Sequence, residues 1–137
     1  MIVIVIMGLA ATVVVLVMPD PRGRLRDDAD KFAARVRAAH DEAIAGARPV
    51  SVWVAPGGYG FDEREAGRWH TIGEKPFRVE QWGKNTTALV ADPSGRDRVV
   101  FDTTGMADRA MTVRLQRDGK SMMVRVGTNG GVRVNVR

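Results

Sequence analysis

The sequence predicts an α+β protein: a long N-terminal helix packed on an antiparallel β-rich head. Three observations carry that prediction. The first 19 of the 137 residues hold no charge, and all 21 Lys and Arg and all 16 Asp and Glu follow them. From Leu25 to Ile44 the apolar residues repeat with a helical period. After Pro49 they alternate in the two-residue period of a strand. A chain of this length holds one domain plus an appendage. The unevenness argues against a plain cytosolic enzyme, a disordered basic tail and a disulfide-stapled mini-domain.

The run from Met1 to Met18 is 18 residues without a charge. As a helix it would measure about 27 Å, close to the ~30 Å of a bilayer's hydrocarbon core. Its β-branched residues would suit a strand in water, but an isolated strand in lipid leaves its backbone polar groups unsatisfied. The run also exceeds a typical strand length. A cleavable signal peptide would need a basic n-region and an Ala-x-Ala-like site, and neither is present. Residues 1–19 are therefore expected to form a single membrane helix.

Pro19-Asp20-Pro21 should kink the helix, with Asp20 capping its second half and Pro21 at the first helical position there. Leu25, Ala29, Phe32, Ala33, Val36, Ala43 and Ile44 trace one face of that second half, residues 20–48. Leu25, Phe32, Val36 and Ile44 are the candidates for packing against the head. Asp27 and Lys31, four apart, have the favourable order for an ion pair. Gly46 and Pro49 should end the helix.

Residues 49–137 make up the head. Val50, Val52 and Val54 alternate with Ser51, Trp53 and Ala55, and Pro56-Gly57-Gly58 makes a turn. Short strands are expected at Tyr59 to Phe61, Arg68 to Ile72, Phe77 to Trp82, Thr87 to Ala91 and Arg98 to Phe101. The end of the chain is clearer. Met111, Val113 and Leu115 alternate with polar residues, Asp118-Gly119 suits a two-residue type I′ turn, and Met122, Val124 and Val126 follow. Asn129-Gly130 reads as a second such turn before Val132, Val134 and Val136. The result is a three-stranded meander with one valine-rich buried face.

Catalytic signatures are missing from the sequence. It has no cysteine, which removes disulfides, thiolate metal sites and a cysteine nucleophile. His40 and His70 lack metal-site spacing, and none of Ser51, Ser94 and Ser121 sits in a nucleophile elbow. Gly57-Gly58-Tyr59-Gly60 lacks the Lys-Ser/Thr of a phosphate loop. Asp62, Glu63 and Glu65 read as solvated charge in a loop rather than a calcium site. Asn85-Thr86-Thr87 fits a glycosylation pattern with a high chance rate. The chain is read as a non-enzyme with no cofactor and no metal.

The net charge of +5 is local. Segment 22–48 has 7 basic and 5 acidic residues, segment 49–95 has 5 and 6, and segment 96–137 has 9 and 4. Strand phase places Arg114, Arg125 and Arg133 on the outward face of the meander, with Arg137 at its end. Such a face can meet an acidic protein, nucleic acid or lipid headgroups. It can equally protect a sheet by charge. No aromatic residue interleaves with these arginines as a single-strand binder would want.

The order of these features resembles the type IV pilin superfamily: an uncharged run with Gly8-Leu9-Ala10-Ala11, then a proline near the membrane exit. Within it the chain is most similar to the GspH/FimT group, the H-type minor pseudopilins of type II secretion. The carrying residues are Leu25 to Ile44, Arg48-Pro49-Val50, and Val100-Phe101-Asp102-Thr103-Thr104-Gly105. The last looks like the family's Phe-x-Pro-x-Gly segment with Thr103 in place of proline. Family members are made with a Gly-Phe-Thr-Leu-x-Glu junction, cut after Gly by a peptidase that methylates the new N-terminus. Aligned through Gly8, that junction falls just upstream of Met1, so the native start is expected to lie upstream.

The resemblance implies a single-pass inner-membrane protein with a periplasmic head, drawn into a short pseudopilus beside other pseudopilins and the secretion machinery. Apolar helices leaving the bilayer stay buried only by packing against one another. Ile2, Val3, Ile4, Val5, Ile6, Gly8, Leu9, Val13 and Leu16 are the candidates for that assembly helix. An alternative is a type IV pilus minor pilin that captures DNA, for which Gly131-Val132-Arg133 to Arg137 is a loose match to a Gly-Arg-x-Arg motif. A further alternative is a membrane-anchored periplasmic binding domain.

Overall fold

The computed structural model describes residues 21–136. The charge-free run, the Asp20 cap and Arg137 lie outside the described residues. Among those described, no helix is long and apolar enough to cross a membrane.

Helix α1 (Pro21–Ala45) is amphipathic because its small and apolar residues recur at every turn. Leu25, Ala29, Phe32, Ala33, Val36, Ala39 and Ala43 form the buried stripe. Ile44 does not belong to it. One residue past Ala43 is about 100° around the helix, so Ile44 points off the stripe and is 47% exposed. Only its tip reaches the head, beside Gly105. The ion pair on the exposed face is Arg26–Asp30 at 3.9 Å rather than Asp27–Lys31, and its exposure makes it worth little. Beyond Ala45 the left-handed residue is Ala47 (φ 52°), not Gly46, whose N–H still bonds the Glu42 carbonyl.

Among the described residues nine strands follow, in two antiparallel sheets. The first sheet contains β1 (Val50–Ala55), β2 (Gly58–Glu65), β3 (Arg68–Thr71), β4 (Glu80–Gln81) and β6 (Asp97–Phe101). Its order is β3-β2-β1-β6, and β4 also pairs with β2. The second contains β5 (Thr87–Leu89), β7 (Met111–Arg117), β8 (Lys120–Val126) and β9 (Val132–Val136), in the order β5-β7-β8-β9. The meander expected from three strands thus gains β5 at its β7 edge. The sheets are stitched together by Ala88 N–H to the Pro56 carbonyl (3.1 Å) and Ala107 N–H to the Thr128 carbonyl (2.9 Å).

Helix α1 lies across both sheets, against β1 and β6 of one and β7, β8 and β9 of the other. The strands turn Val50, Val52, Val54, Phe61, Val99, Val113, Leu115 and Val124 inward, all buried. Phe32 anchors the contact at the middle of the helix. Its ring meets Tyr59 edge-on at 4.8 Å and Trp82 at 5.2 Å between centroids. Trp82 Nε1–H then bonds the Ala55 carbonyl at 3.1 Å. Toward the C-terminal end of the helix, His40 stands edge-on to Phe101 at 5.7 Å.

The five short strands of the middle of the chain all differ from the sequence reading at one end or both, β2 and β4 most. Strand β2 runs four residues past Phe61, so Asp62, Glu63 and Glu65 sit in a strand, not a loop. Asp62 is buried and bonded to Arg98 at 3.1 Å. The β2–β3 turn is made by Ala66 and Gly67, both at positive φ. Strand β4 shrinks to two residues, and Phe77 instead packs on Phe61 at 5.5 Å.

Tyr59, the chain's one tyrosine, carries a measurable consequence. Burial pushes its phenol above the ordinary range, partly offset by the hydrogen bond from Arg35. The raised value means the neutral phenol is favoured in the fold. Its contribution to stability is complete below the ordinary phenol pKa and is lost as pH rises through the raised one. Phenolate absorbance should therefore titrate above the free-tyrosine value, and further above it in Arg35→Ala.

Candidate interaction surfaces

Three surfaces of the head carry charge in an organised way. The first is the outward face of β7, β8 and β9. Inward positions Met111, Val113 and Leu115 force Thr112, Arg114 and Gln116 outward, and the same alternation exposes Arg125 and Arg133. Register sets Arg125 directly opposite Arg133, with Thr112 on its other side. Arg114 lies in another row, opposite Met123 and Leu89. The structure thus brings Arg125 and Arg133 together and leaves Arg114 apart, half-buried toward the β5 edge.

Like charges directly opposite on a sheet destabilise it. Arg133→Glu should convert the pair to an attractive one and stabilise the head by about 0.5–1 kcal/mol at low salt. The check is a shift in the denaturation midpoint with an unchanged slope, shrinking as salt rises.

The second surface is the outward face of the first sheet. Ser51 and Trp53 on β1, Asp62 and Arg64 on β2, Trp69 on β3 and Arg98 on β6 share it through the registers Trp53↔Arg98, Ser51↔Asp62 and Arg64↔Trp69. Arg98 bonds Asp62 and lies 5.9 Å from the Trp69 ring centroid. Asp97, buried, is paired with Arg109 and accepts the Arg98 N–H at 2.8 Å. Gly60 lets Trp53 lie flat on β2, since a Cβ there would overlap its indole. None of these residues was a candidate from sequence, because pairing residues 36 apart requires the sheet register.

The third is the far end of the head, where His40 meets two loops. Gly105 (φ 85°) ends the turn Asp102–Gly105, and Gly130 (φ 83°) lies in the β8–β9 connection. The Asp102 carboxylate accepts hydrogen bonds from the Thr104 hydroxyl and from the Thr104 and Met106 N–H groups. Those bonds, the hydroxyl's first, hold its carboxyl below the usual range. Thr103 is exposed in this turn.

Of the other candidates, Leu25, Phe32 and Val36 are buried under the sheets and Ile44 is not. Ile2, Val3, Ile4, Val5, Ile6, Gly8, Leu9, Val13 and Leu16 fall outside the described residues, as does Arg137. Sequence reasoning also passed over Arg117. Continuing the two-residue period by one step puts it in the inward phase of Leu115, and it is buried there.

A helix lying across two antiparallel sheets is the arrangement of a pilin-like head. The chain belongs to the GspH family: residues 28–131 match the family described as Type II transport protein GspH. The fold is similar to the minor pseudopilin EpsH from the type 2 secretion system of Vibrio cholerae (TM-score 0.69, 15% identity, 83% of this chain and 94% of that one). It is also similar to Escherichia coli GspH in solution (0.69, 16% identity, 88% and 94%). The type IV minor pilin FimU of Pseudomonas aeruginosa shares it too (0.64, 18% identity, 83% and 90%). No curated protein sequence gives a match.

Proposed function

We propose that the protein is a minor pseudopilin of the type II secretion system, a structural, non-catalytic subunit of the periplasmic pseudopilus. The observation that carries this reading is the family match over residues 28–131 on a helix-and-two-sheet head. In it, residues 1–19 anchor the subunit in the inner membrane and pack with other pseudopilins as the filament grows. Residues 20–48 continue that helix, and residues 49–137 form the head that makes lateral contacts in the periplasm. The uncharged run supports the assembly role, because such a helix leaving lipid must be covered by another apolar surface.

A second reading is favoured by one observation, the adjacent Arg125 and Arg133: a type IV pilus minor pilin that captures DNA. Deleting the gene separates the two. The pseudopilin reading expects loss of exported folded proteins with natural transformation intact. Loss of transformation with export intact would overturn it in favour of DNA capture.

A further inference from the structure

The tip of the β7–β8 hairpin carries a cavity of about 420 Å³ lined entirely by polar residues and one glycine. Arg114, Arg117 and Lys120 face it against a single carboxylate, Asp118, with Asn85 and Ser121 beside them. Two of the lining side chains keep a buried donor atom without a hydrogen-bond partner. Arg117 is only 8% exposed, and its Nε–H is buried without a hydrogen-bond partner. Arg117 is ion-paired with the Asp118 carboxylate at 3.6 Å, too long for a hydrogen bond. Arg114 Nε–H is buried and unpartnered as well.

A guanidinium cannot shed its charge when buried, so holding Arg117 there with a single carboxylate in range is costly. Packing alone would favour an apolar residue at position 117, in phase with Met111, Val113 and Leu115. We propose that this cavity binds a phosphate-type oxyanion, whose negative charge offsets the excess positive charge of the lining. Two arginines, a lysine and several neutral polar residues line it, more donors than the two oxygens of a carboxylate can satisfy. The lining's excess of two positive charges matches a phosphate group's negative charge.

The cavity's position identifies where such a group can come from. Asn85 is two residues from Gly83, whose N–H bonds Asp28 near the start of α1 at 3.0 Å. The opposite end of the same hairpin pair meets His40, toward the end of α1. If residues 1–19 span the bilayer, as in the function proposed above, the cavity faces the membrane surface. The headgroup phosphate of an anionic phospholipid is then one source and inorganic phosphate the other. Only the lipid source rests on that reading; the site itself rests on the folded head.

The test uses the full chain in maltoside detergent, which contains no phosphate, and follows the arginine Nε–H resonances. Inorganic phosphate, or phosphatidylglycerol doped into the micelles, should shift Arg114 and Arg117 saturably, and Arg117→Gln should abolish the effect. Lys120→Gln, at a half-buried position less able to disturb the fold, should weaken binding about tenfold or more. Response to phosphate alone keeps the site and removes its membrane placement; response to phosphatidylglycerol alone makes the ligand a lipid. Equal shifts with chloride at matched ionic strength, no shift with either probe, or unchanged affinity in Lys120→Gln would overturn the proposal.

Discussion

Replacing Phe32 by alanine should lower the stability of the head by about 3–5 kcal/mol. Phe32 is fully buried and is the residue through which α1 meets both Tyr59 and Trp82. Its removal leaves a cavity bounded by β2 and the Trp82 loop, and neither can collapse inward freely. Tyr59 is held by Arg35, and the Trp82 indole by the Ala55 carbonyl. Denaturant unfolding of the protein in detergent, followed by tryptophan fluorescence, measures the loss directly. Ile44→Ala provides the contrast. Being 47% exposed, Ile44 should cost less than about 1 kcal/mol. A large loss at Ile44 would mean that the buried stripe extends beyond Ala43.

The second large effect is expected at Gly130, where alanine should cost about 2 kcal/mol or more. Two penalties combine there. The backbone has φ 83°, and an added Cβ would overlap the Gly105 carbonyl oxygen and the His40 ring. Gly119 separates the two terms, because it has φ 77° but open space around it. Gly119→Ala should therefore show only the left-handed penalty, about 1 kcal/mol. Gly57→Ala, with open space and an ordinary φ, should be close to neutral. Thermal unfolding should rank the three in that order.

The helix and the terminal meander were legible because each buries one face, and burial imposes a period on the sequence. The stripe from Leu25 to Ala43 and the alternation of Met111, Val113 and Leu115 are direct records of it. Strand β2 was cut short because it runs beyond the core. From Glu63 onward neither face is fully buried, so alternation stops although pairing with β3 continues. Asn129-Gly130 misled for a different reason. A two-residue turn there would set Val126 opposite Arg133 and turn Arg133 inward. The structure instead uses Thr128 to Gly130 as a three-residue loop with only Gly130 left-handed, and Val126 pairs with Val132. Burial of the valines outweighs the local turn preference.

The interaction surfaces were less legible than the fold. Arg125 and Arg133 follow from strand phase, but their direct opposition depends on the loop length just described. The Arg98–Asp62 and Arg109–Asp97 pairs join strands and loops whose order in the sheet the sequence does not record. Arg117 could have been found by counting one more step of the two-residue period. A charged residue in an apolar phase is a signal in itself.

The central proposal is that the chain assembles with other pseudopilins through its uncharged N-terminal run. The absence of cysteine makes it directly testable, because a single Val13→Cys substitution creates the only thiol. Mild oxidation in cells carrying pseudopilins with a cysteine at the corresponding helix position should give a disulfide-linked heterodimer. The same protein with cysteine at exposed Thr103 instead should not form that adduct. Absence of any adduct from Val13→Cys, with the head folded and the partners present, would contradict the account.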